Sequence, residues 1–232
     1  MKLAVITGGA RGIGRSIADV LDAEGYKLLL VDVSDAVDGA AAELGALAVR
    51  ADISTREGVN AIVTAAEESG AEPALLVNNA GITRDSLLRK MDEAAFRAVV
   101  RINLGGTIAL TEALAPKMCE GSAVVNISSR AQLGNVGQFN YGIAKAGLIG
   151  ATRALALSLA PRTRVNAVAP GFTESEMTLA MPEQVRERII NSIPVGRAGK
   201  PVDIANAVAW LGSDRAGYIN GQVLYACGGR TF

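Results

Sequence analysis

The sequence contains no histidine. The side chain that most often acts as a general base near neutral pH, and most often ligates transition metals, is therefore missing. Acid–base work falls to Asp, Glu, Tyr, Lys or Cys. Cysteine is scarce as well: Cys119 and Cys227 stand far apart among 232 residues, too few for a zinc site, so no metal is expected. In a chain long enough to be stable without staples, two isolated cysteines read as reduced, half-buried thiols, which points to a cytoplasmic protein. Neither sign of charge is in excess. The 23 basic residues balance 23 acidic ones, which leaves no net field to draw in nucleic acid or an anionic membrane. No stretch approaches about 18 uninterrupted apolar residues, so no membrane span is expected. The apolar run after Met1-Lys2 is too short for a signal peptide. A small-molecule or protein-borne substrate remains.

What is present is apolar patterning. Half of the residues are hydrophobic, and at this length a single domain with one large core is expected over residues 1–232. Short β-branched or leucine-rich runs recur at 2–7, 27–32, 46–51, 74–79, 122–128, 164–169 and 222–226. They read as apolar on both faces, which fits strands of a parallel sheet covered by helices on both sides. Between them the sequence predicts helices over 12–23, 35–44, 56–69, 92–117, 139–160 and 202–213. The alternation is βαβα throughout, a doubly wound α/β fold with a seven-stranded parallel sheet. Residues 171–199 break the rhythm, and a connection of that length is either a lid over a site or a docked helical pair that only packs. Met177, Leu179, Met181 and Ile193 within it are candidates for an apolar wall or for lid packing.

After the first run comes Thr7-Gly8-Gly9-Ala10-Arg11-Gly12-Ile13-Gly14, which opens directly into a helical stretch. Glycines at 8, 12 and 14 permit a tight turn, close approach of a pyrophosphate to the backbone and close packing of helix on strand, while the helix N-terminus faces the anion. Gly8, Arg11, Gly12, Ile13 and Gly14 are accordingly candidate dinucleotide contacts. Asp32 ends the second strand, eighteen residues past Gly14. A carboxylate there accepts hydrogen bonds from the adenosine ribose and repels a 2′-phosphate, which favours NAD(H). Arg11 pulls the other way, because a guanidinium in the loop partly accommodates that phosphate and keeps NADP(H) open. Parallel sheets bind ligands outside their carboxyl ends. Asp52 and Ile53 after the third strand are therefore placed at the adenine, and Asn78, Asn79, Ala80 and Gly81 after the fourth should line the same crevice.

In "NYGIAKAG", Tyr141 and Lys145 stand four residues apart in a predicted helix, so the ammonium can lie close to the phenol. The pair is either chemistry or an ordinary helix-surface contact.

With "TGGARGIG", "NNAG", "NISS", "YGIAK" and "VAPGFTESEM" in this order, the chain resembles the short-chain dehydrogenase/reductase family along its whole length. Within it, "INLGGTIALTEAL", "GQFNYGIAKAGLIGATRALA" and "YINGQVLYACGG" look most like 3-oxoacyl-acyl-carrier-protein reductases. The resemblance implies a Rossmann fold and a nicotinamide cofactor. It makes Tyr141 the catalytic tyrosine and Lys145 its partner, which also binds the nicotinamide ribose. Asn103 becomes the asparagine of a water-linked proton relay, and Pro170, Gly171 and Thr173 become cofactor contacts, with helix capping the alternative for Thr173. A serine of "NISS" orients the substrate: the family's usual spacing of thirteen residues before the tyrosine selects Ser128, whereas strand register selects Ser129, and Ser129 is preferred because a deletion is easier to absorb in a loop than in a central strand. A free phenol titrates near pH ~10, so the ammonium and the cofactor's positive charge are expected to favour the phenolate.

The function so implied is reduction of a 3-oxoacyl thioester. Two other readings stand beside it: an NAD-dependent dehydrogenase of a small or cyclic secondary alcohol or hydroxyacyl-CoA, and a cofactor-binding regulator without turnover. An acyl carrier protein as partner calls for a basic patch, for which Arg130, Arg162, Arg164 and Arg197 are the candidates. By resemblance a homotetramer is expected, built on the long helix at 139–160 and on the C-terminal "CGGRTF".

Overall fold

The computed structural model describes residues 1–230, without the side chain of Met177; Thr231 and Phe232, the end of "CGGRTF", lie outside the described residues. Seven strands form one parallel sheet: β1 (Lys2–Thr7), β2 (Lys27–Asp32), β3 (Leu47–Arg50), β4 (Glu72–Asn78), β5 (Ser122–Ile127), β6 (Thr163–Pro170) and β7 (Val223–Ala226). Their order is β3-β2-β1-β4-β5-β6-β7. The chain winds outward from β1 to β3, then returns to the other side of β1 at β4. The C-terminal ends of β1 and β4 are thus the switch point where parallel sheets open a crevice for ligands.

Alternate residues of each strand feed opposite layers. Leu3, Val5, Leu29, Val31, Leu76 and Val124 pack with Ile62, Leu110 and Leu114 on one face. Ala4, Ile6, Leu28, Leu30, Leu75 and Val77 pack with Ile17, Leu21, Ile204 and Val208 on the other. The first layer is made by α3 (Arg56–Glu68) and α5 (Thr107–Leu114), the second by α1 (Gly12–Ala23) and α9 (Pro201–Gly212). Continuous apolar strands are what two covered faces demand. The edges depart from that expectation: in β3, Ala48 and Arg50 are exposed, and in β7, Leu224 is 39% exposed, because an edge strand is only partly overlaid.

The predicted helix over 92–117 is broken. It comprises α4 (Glu93–Val100), a π-helical turn over Arg101–Gly106, α5, and a 3-10 turn over Ala115–Lys117. Gly105 and Gly106 weaken α-helical geometry there, and Gly106 also meets β3's exit: a Cβ on it would stand 2.8 Å from the Ile53 carbonyl oxygen. The remaining helices are α2 (Ala36–Leu44), α6 (Phe139–Ser158), α7 (Glu176–Leu179) and α8 (Glu183–Asn191).

Candidate active site

Helix α1 begins at the glycine-rich loop with Arg11 as its N-cap, and it receives neither a side-chain cap nor an acidic residue in its first turn. Its N-terminal dipole is left for something else. Gly12 has φ +59°, and a Cβ on it would meet nothing within 4 Å, so open space lies on its outer side. Gly14 is the opposite case, since a Cβ would stand 2.0 Å from the Gly8 carbonyl oxygen and 2.6 Å from Asn79 Nδ2. An uncapped helix end above an open glycine cradle fits the pyrophosphate of a dinucleotide.

The switch point is braced by one hydroxyl. Thr7 Oγ1 accepts the N–H groups of Asn79 and Ala80 at 3.0 Å each and donates to the Val77 carbonyl at 3.3 Å. Asn79 Nδ2 donates back to the carbonyls of Thr7 (3.0 Å) and Gly8 (3.1 Å). Asn79 and Ala80 therefore fix the loop beside the crevice. Asn78 does not line it: the side chain is buried and donates to Thr111 (2.9 Å) and Asn126 (2.8 Å), because its place within β4 turns it toward α5.

Asp32 lies at the crevice edge, where its carboxylate accepts the N–H of Ala10 at 3.3 Å and of Ser34 at 3.1 Å. Arg11 points outward and pairs with Glu176 of α7 at 3.5 Å, both side chains at least 80% exposed. Asp52 accepts the Ser54 N–H at 2.8 Å. The Ile53 side chain is core, so any ligand contact there runs through the backbone.

At the other half of the crevice, the end of β5 and α6 bring three predicted residues together, Ser129, Tyr141 and Lys145. Ser129 follows β5; its hydroxyl accepts the Ala131 N–H at 3.1 Å and lies close enough to the Tyr141 phenol to lower it. Ser128 is turned away, buried, and donates to the Lys145 carbonyl at 2.9 Å. Lys145 is itself buried. Its Nζ donates to the Ile127 carbonyl at 2.7 Å and stands 5.6 Å from the centre of the Tyr141 ring, so the two are not a helix-surface contact. Burial pushes the ammonium down to about 8. The expected lowering of the phenol is reversed in the protein alone: burial raises Tyr141, the Ser129 hydroxyl offsets part of this, and the Asp85 charge adds to the rise.

Asn103 sits in the π-helical turn, fully buried. Its amide clamps the backbone of Ile82, accepting the N–H at 2.8 Å and donating to the carbonyl at 2.9 Å. This holds the loop after β4 over the site. Gly81 lies between these groups, for a Cβ on it would stand 3.2 Å from Asn103 Oδ1 and 3.5 Å from Lys145 Nζ. π-Helical turns recur at functional sites because they re-aim side chains without ending the helix.

Past β6, Pro170 and Gly171 lie at the strand end, and Gly171 is pressed against Cys227, with a Cβ only 2.7 Å from its Cα. Thr173 does not cap the next helix, since α7 is capped by Ser175, whose hydroxyl accepts the Thr178 N–H at 3.2 Å. Thr173 instead donates to the Gly171 carbonyl at 3.4 Å. The base of the 171–199 segment is closed by a bridge between Thr173 and Gly199. Ile193 packs inward against Gly228, Leu179 is 57% exposed, and Met181 is half-buried.

Two residues escaped sequence reasoning. Asn140, fully buried, donates to the Arg84 carbonyl at 2.9 Å and accepts the Tyr141 N–H at 2.8 Å, so it ties the start of α6 to the loop after β4. Asp85, whose carboxylate accepts the Gln138 amide at 2.9 Å, is near enough for its charge to raise the phenol. Adjacency to Tyr141 was the only available signal for the first, and nothing in sequence signals the second. Three of the four candidate patch arginines are committed elsewhere. Arg162 donates to the Met118 carbonyl, Arg164 to those of Leu211 and Ser213, and Arg197 pairs with Asp203 at 2.6 Å.

A family model described as enoyl-(acyl carrier protein) reductase matches residues 8–231. The chain is 39% identical to the 3-oxoacyl-(acyl-carrier-protein) reductase FabG of Thermotoga maritima, over 98% of this chain and 97% of that one. It is 42% identical to the acetoacetyl-CoA reductase of Shinella zoogloeoides, over 100% and 99%. A solved structure titled short-chain dehydrogenase/reductase SDR: glucose/ribitol dehydrogenase, from Brucella melitensis, superposes with a TM-score of 0.95 at 33% identity, covering 100% of this chain and 96% of that one.

Proposed function

The chain belongs to the short-chain dehydrogenase/reductase family and is a nicotinamide-dependent oxidoreductase, and from that premise we propose that it reduces a 3-oxoacyl thioester to the 3-hydroxyacyl form. The observation that carries this reading is the Tyr141 phenol set beside Ser129, with the buried Lys145 ammonium 5.6 Å from its ring centre, at the carboxyl edge of the sheet.

When bound, a nicotinamide would supply the hydride that a ketone carbon takes up. Tyr141 hydrogen-bonds the ketone oxygen and gives its phenolic proton to it as negative charge develops. Ser129 holds the same oxygen and accompanies the phenol as it loses the proton. A phenol raised by burial is a weak acid at neutral pH, so the chemistry relies on Lys145: its ammonium, pinned by the Ile127 carbonyl, favours the phenolate and binds the nicotinamide ribose. Asn103 keeps the Ile82 backbone in place and contributes to the proton relay. A bound dinucleotide would be held by the backbone of Gly8, Gly12, Ile13 and Gly14 with Arg11 at the rim, by Asp52 and the Ile53 backbone toward its adenine, by Asn79, Ala80 and Gly81 along the middle of the crevice, and by Pro170, Gly171 and Thr173 beyond β6.

Asp32 at the crevice edge, with Arg11 drawn outward to Glu176, favours NAD(H) over NADP(H). The same carboxylate favours a second reading, oxidation of a small secondary alcohol or hydroxyacyl-CoA with NAD. The substrate arrives as a coenzyme A or acyl-carrier-protein thioester, in line with the names of the relatives. The reading includes a homotetramer in the cytoplasm. An apolar groove of about 480 Å³ beside α6, lined by Leu88, Val136, Phe139 and Ile143, supports subunit packing on that helix. Cys119 and Cys227 form no disulfide.

The test is an acetoacetyl thioester offered with NADH and NADPH in parallel. Turnover with NADH supports the reading; turnover with NADPH alone overturns the cofactor assignment, and no turnover with either overturns the substrate.

A further inference from the structure

Two arginines, Arg130 and Arg230, meet beside the loop that carries Ser129. Arg130 follows Ser129 directly and opens a 3-10 turn over Arg130–Leu133. Its Nε donates to the Arg230 carbonyl at 3.0 Å, which brings the C-terminal turn against the loop that carries Ser129. That junction is fixed from both sides. The Gln132 amide donates to the Tyr225 hydroxyl at the end of β7. The Val195 N–H, at the trailing end of the lid, donates to the Gly228 carbonyl at 3.1 Å, while Gly229 packs on Pro194. The two arginines thus sit where the serine loop, the lid and the C-terminal turn meet.

Both side chains are half-buried. Among the described residues, ion pairs engage Arg11, Arg15, Arg97, Arg197 and Arg215, but neither Arg130 nor Arg230. Burial and the facing Arg130 charge both hold the Arg230 guanidinium below its usual range. Two partly desolvated like charges without an acid repel each other, and the arrangement is relieved when an anion bridges them. Guanidinium forks match the planar oxygens of carboxylate and phosphate, and Arg130 keeps its two terminal nitrogens for such a partner.

We propose that Arg130 and Arg230 together bind an oxyanion carried by the substrate, a carboxylate or a phosphate, and so select anionic substrates for the Ser129–Tyr141 centre. The proposal rests on the assignment of that centre made above. The oxyanion has two sources: a carboxylate a few bonds from the ketone, or the phosphate of a pantetheine arm.

The experiment compares wild type with Arg130→Gln, Arg230→Gln and Arg130→Lys on three ketones: acetoacetate, acetoacetyl-coenzyme A and the uncharged S-acetoacetyl-N-acetylcysteamine. Binding of inorganic phosphate is measured in parallel by calorimetry at saturating NADH, which fills the glycine cradle. The expected result is a drop in kcat/KM, carried by KM, that is about tenfold or more larger for an anionic ketone than for the uncharged one, with partial retention in Arg130→Lys. A selective drop with acetoacetate assigns the carboxylate, and one with the coenzyme A thioester assigns the phosphate. Equal drops on all three ketones, or none, overturn the proposal. If wild type turns over none of them, the substrate reading has failed. The pair then stands if the NADH complex binds phosphate and the glutamine variants lose it, and falls if wild type binds none.

Discussion

Ser129 lies beside the Tyr141 phenol and lowers it, whereas Ser128, its neighbour, faces the opposite way and donates to the Lys145 carbonyl at 2.9 Å. The two serines differ by one step of strand register, and that step separates a hydroxyl at the crevice from one inside the protein. Ser129→Ala is expected to lower kcat about 10²–10³-fold with little change in melting temperature. Ser128→Ala is expected to cost about 1 kcal/mol of stability and to leave most of the turnover. Steady-state kinetics beside thermal melts separate the two, and the reverse ranking would reassign the serine.

Lys145 and Tyr141 are displaced in opposite directions, the ammonium down to about 8 and the phenol upward. An activity that needs the lysine charge should therefore decline as pH rises through about 8, while the phenol keeps its proton. Stability runs the other way. The unfolded chain holds the lysine proton up to about 10.4 and the folded chain releases it near 8, so stability increases with pH across that window. In Lys145→Met both dependences should vanish, as read from pH–rate profiles and urea midpoints at pH 7 and 9.5. An unaltered alkaline limb in that variant would assign the limb to another group.

Replacing Asp32 by alanine removes the carboxylate that a 2′-phosphate would meet. The ratio of kcat/KM for NADH over NADPH is expected to fall about tenfold or more, mainly through KM for NADPH. An unchanged ratio would show that Asp32 does not face the ribose.

Gly14→Ala and Gly12→Ala make a contrasting pair. The first forces a Cβ to 2.0 Å from the Gly8 carbonyl oxygen, so it should lose about 1–3 kcal/mol of stability or fail to fold. The second meets nothing in the protein and should cost about 1–2 kcal/mol for its positive φ, yet weaken NADH binding because its methyl enters the cradle. Titration of NADH fluorescence against thermal melts checks both, and tight binding by Gly12→Ala would remove the phosphate from that loop.

The strands and most helices were legible because parallel strands buried on both faces leave continuous apolar runs, and the glycine loop, Asp32, Tyr141 and Lys145 lie at fixed offsets from them. The edge strands β3 and β7 misled because burial depends on neighbours, which a run such as "ALAVRA" does not encode. The π-helical turn at Arg101–Gly106 lies in a stretch whose spacing predicts plain helix, because its apolar spacing differs from an α-helix by a single residue. The fates of Arg162, Arg164 and Arg197 are tertiary: each partner lies across the fold or a turn away, and only folding decides which guanidinium stays available. The direction of the Tyr141 shift is hidden from the sequence for the same reason, because proximity of Lys145 is readable from spacing whereas depth of burial is not.

The bridge between Thr173 and Gly199 joins the two ends of the 171–199 segment. Closing that loop costs entropy once, at its base, and further residues between the ends add only slowly to the cost. The segment above the bridge is held again at its trailing end, where Ile193, Pro194 and Val195 meet Gly228 and Gly229. Between those two anchors its length can change at little cost to the fold, while the strands, the glycine cradle and the Tyr141–Lys145 pair keep their positions.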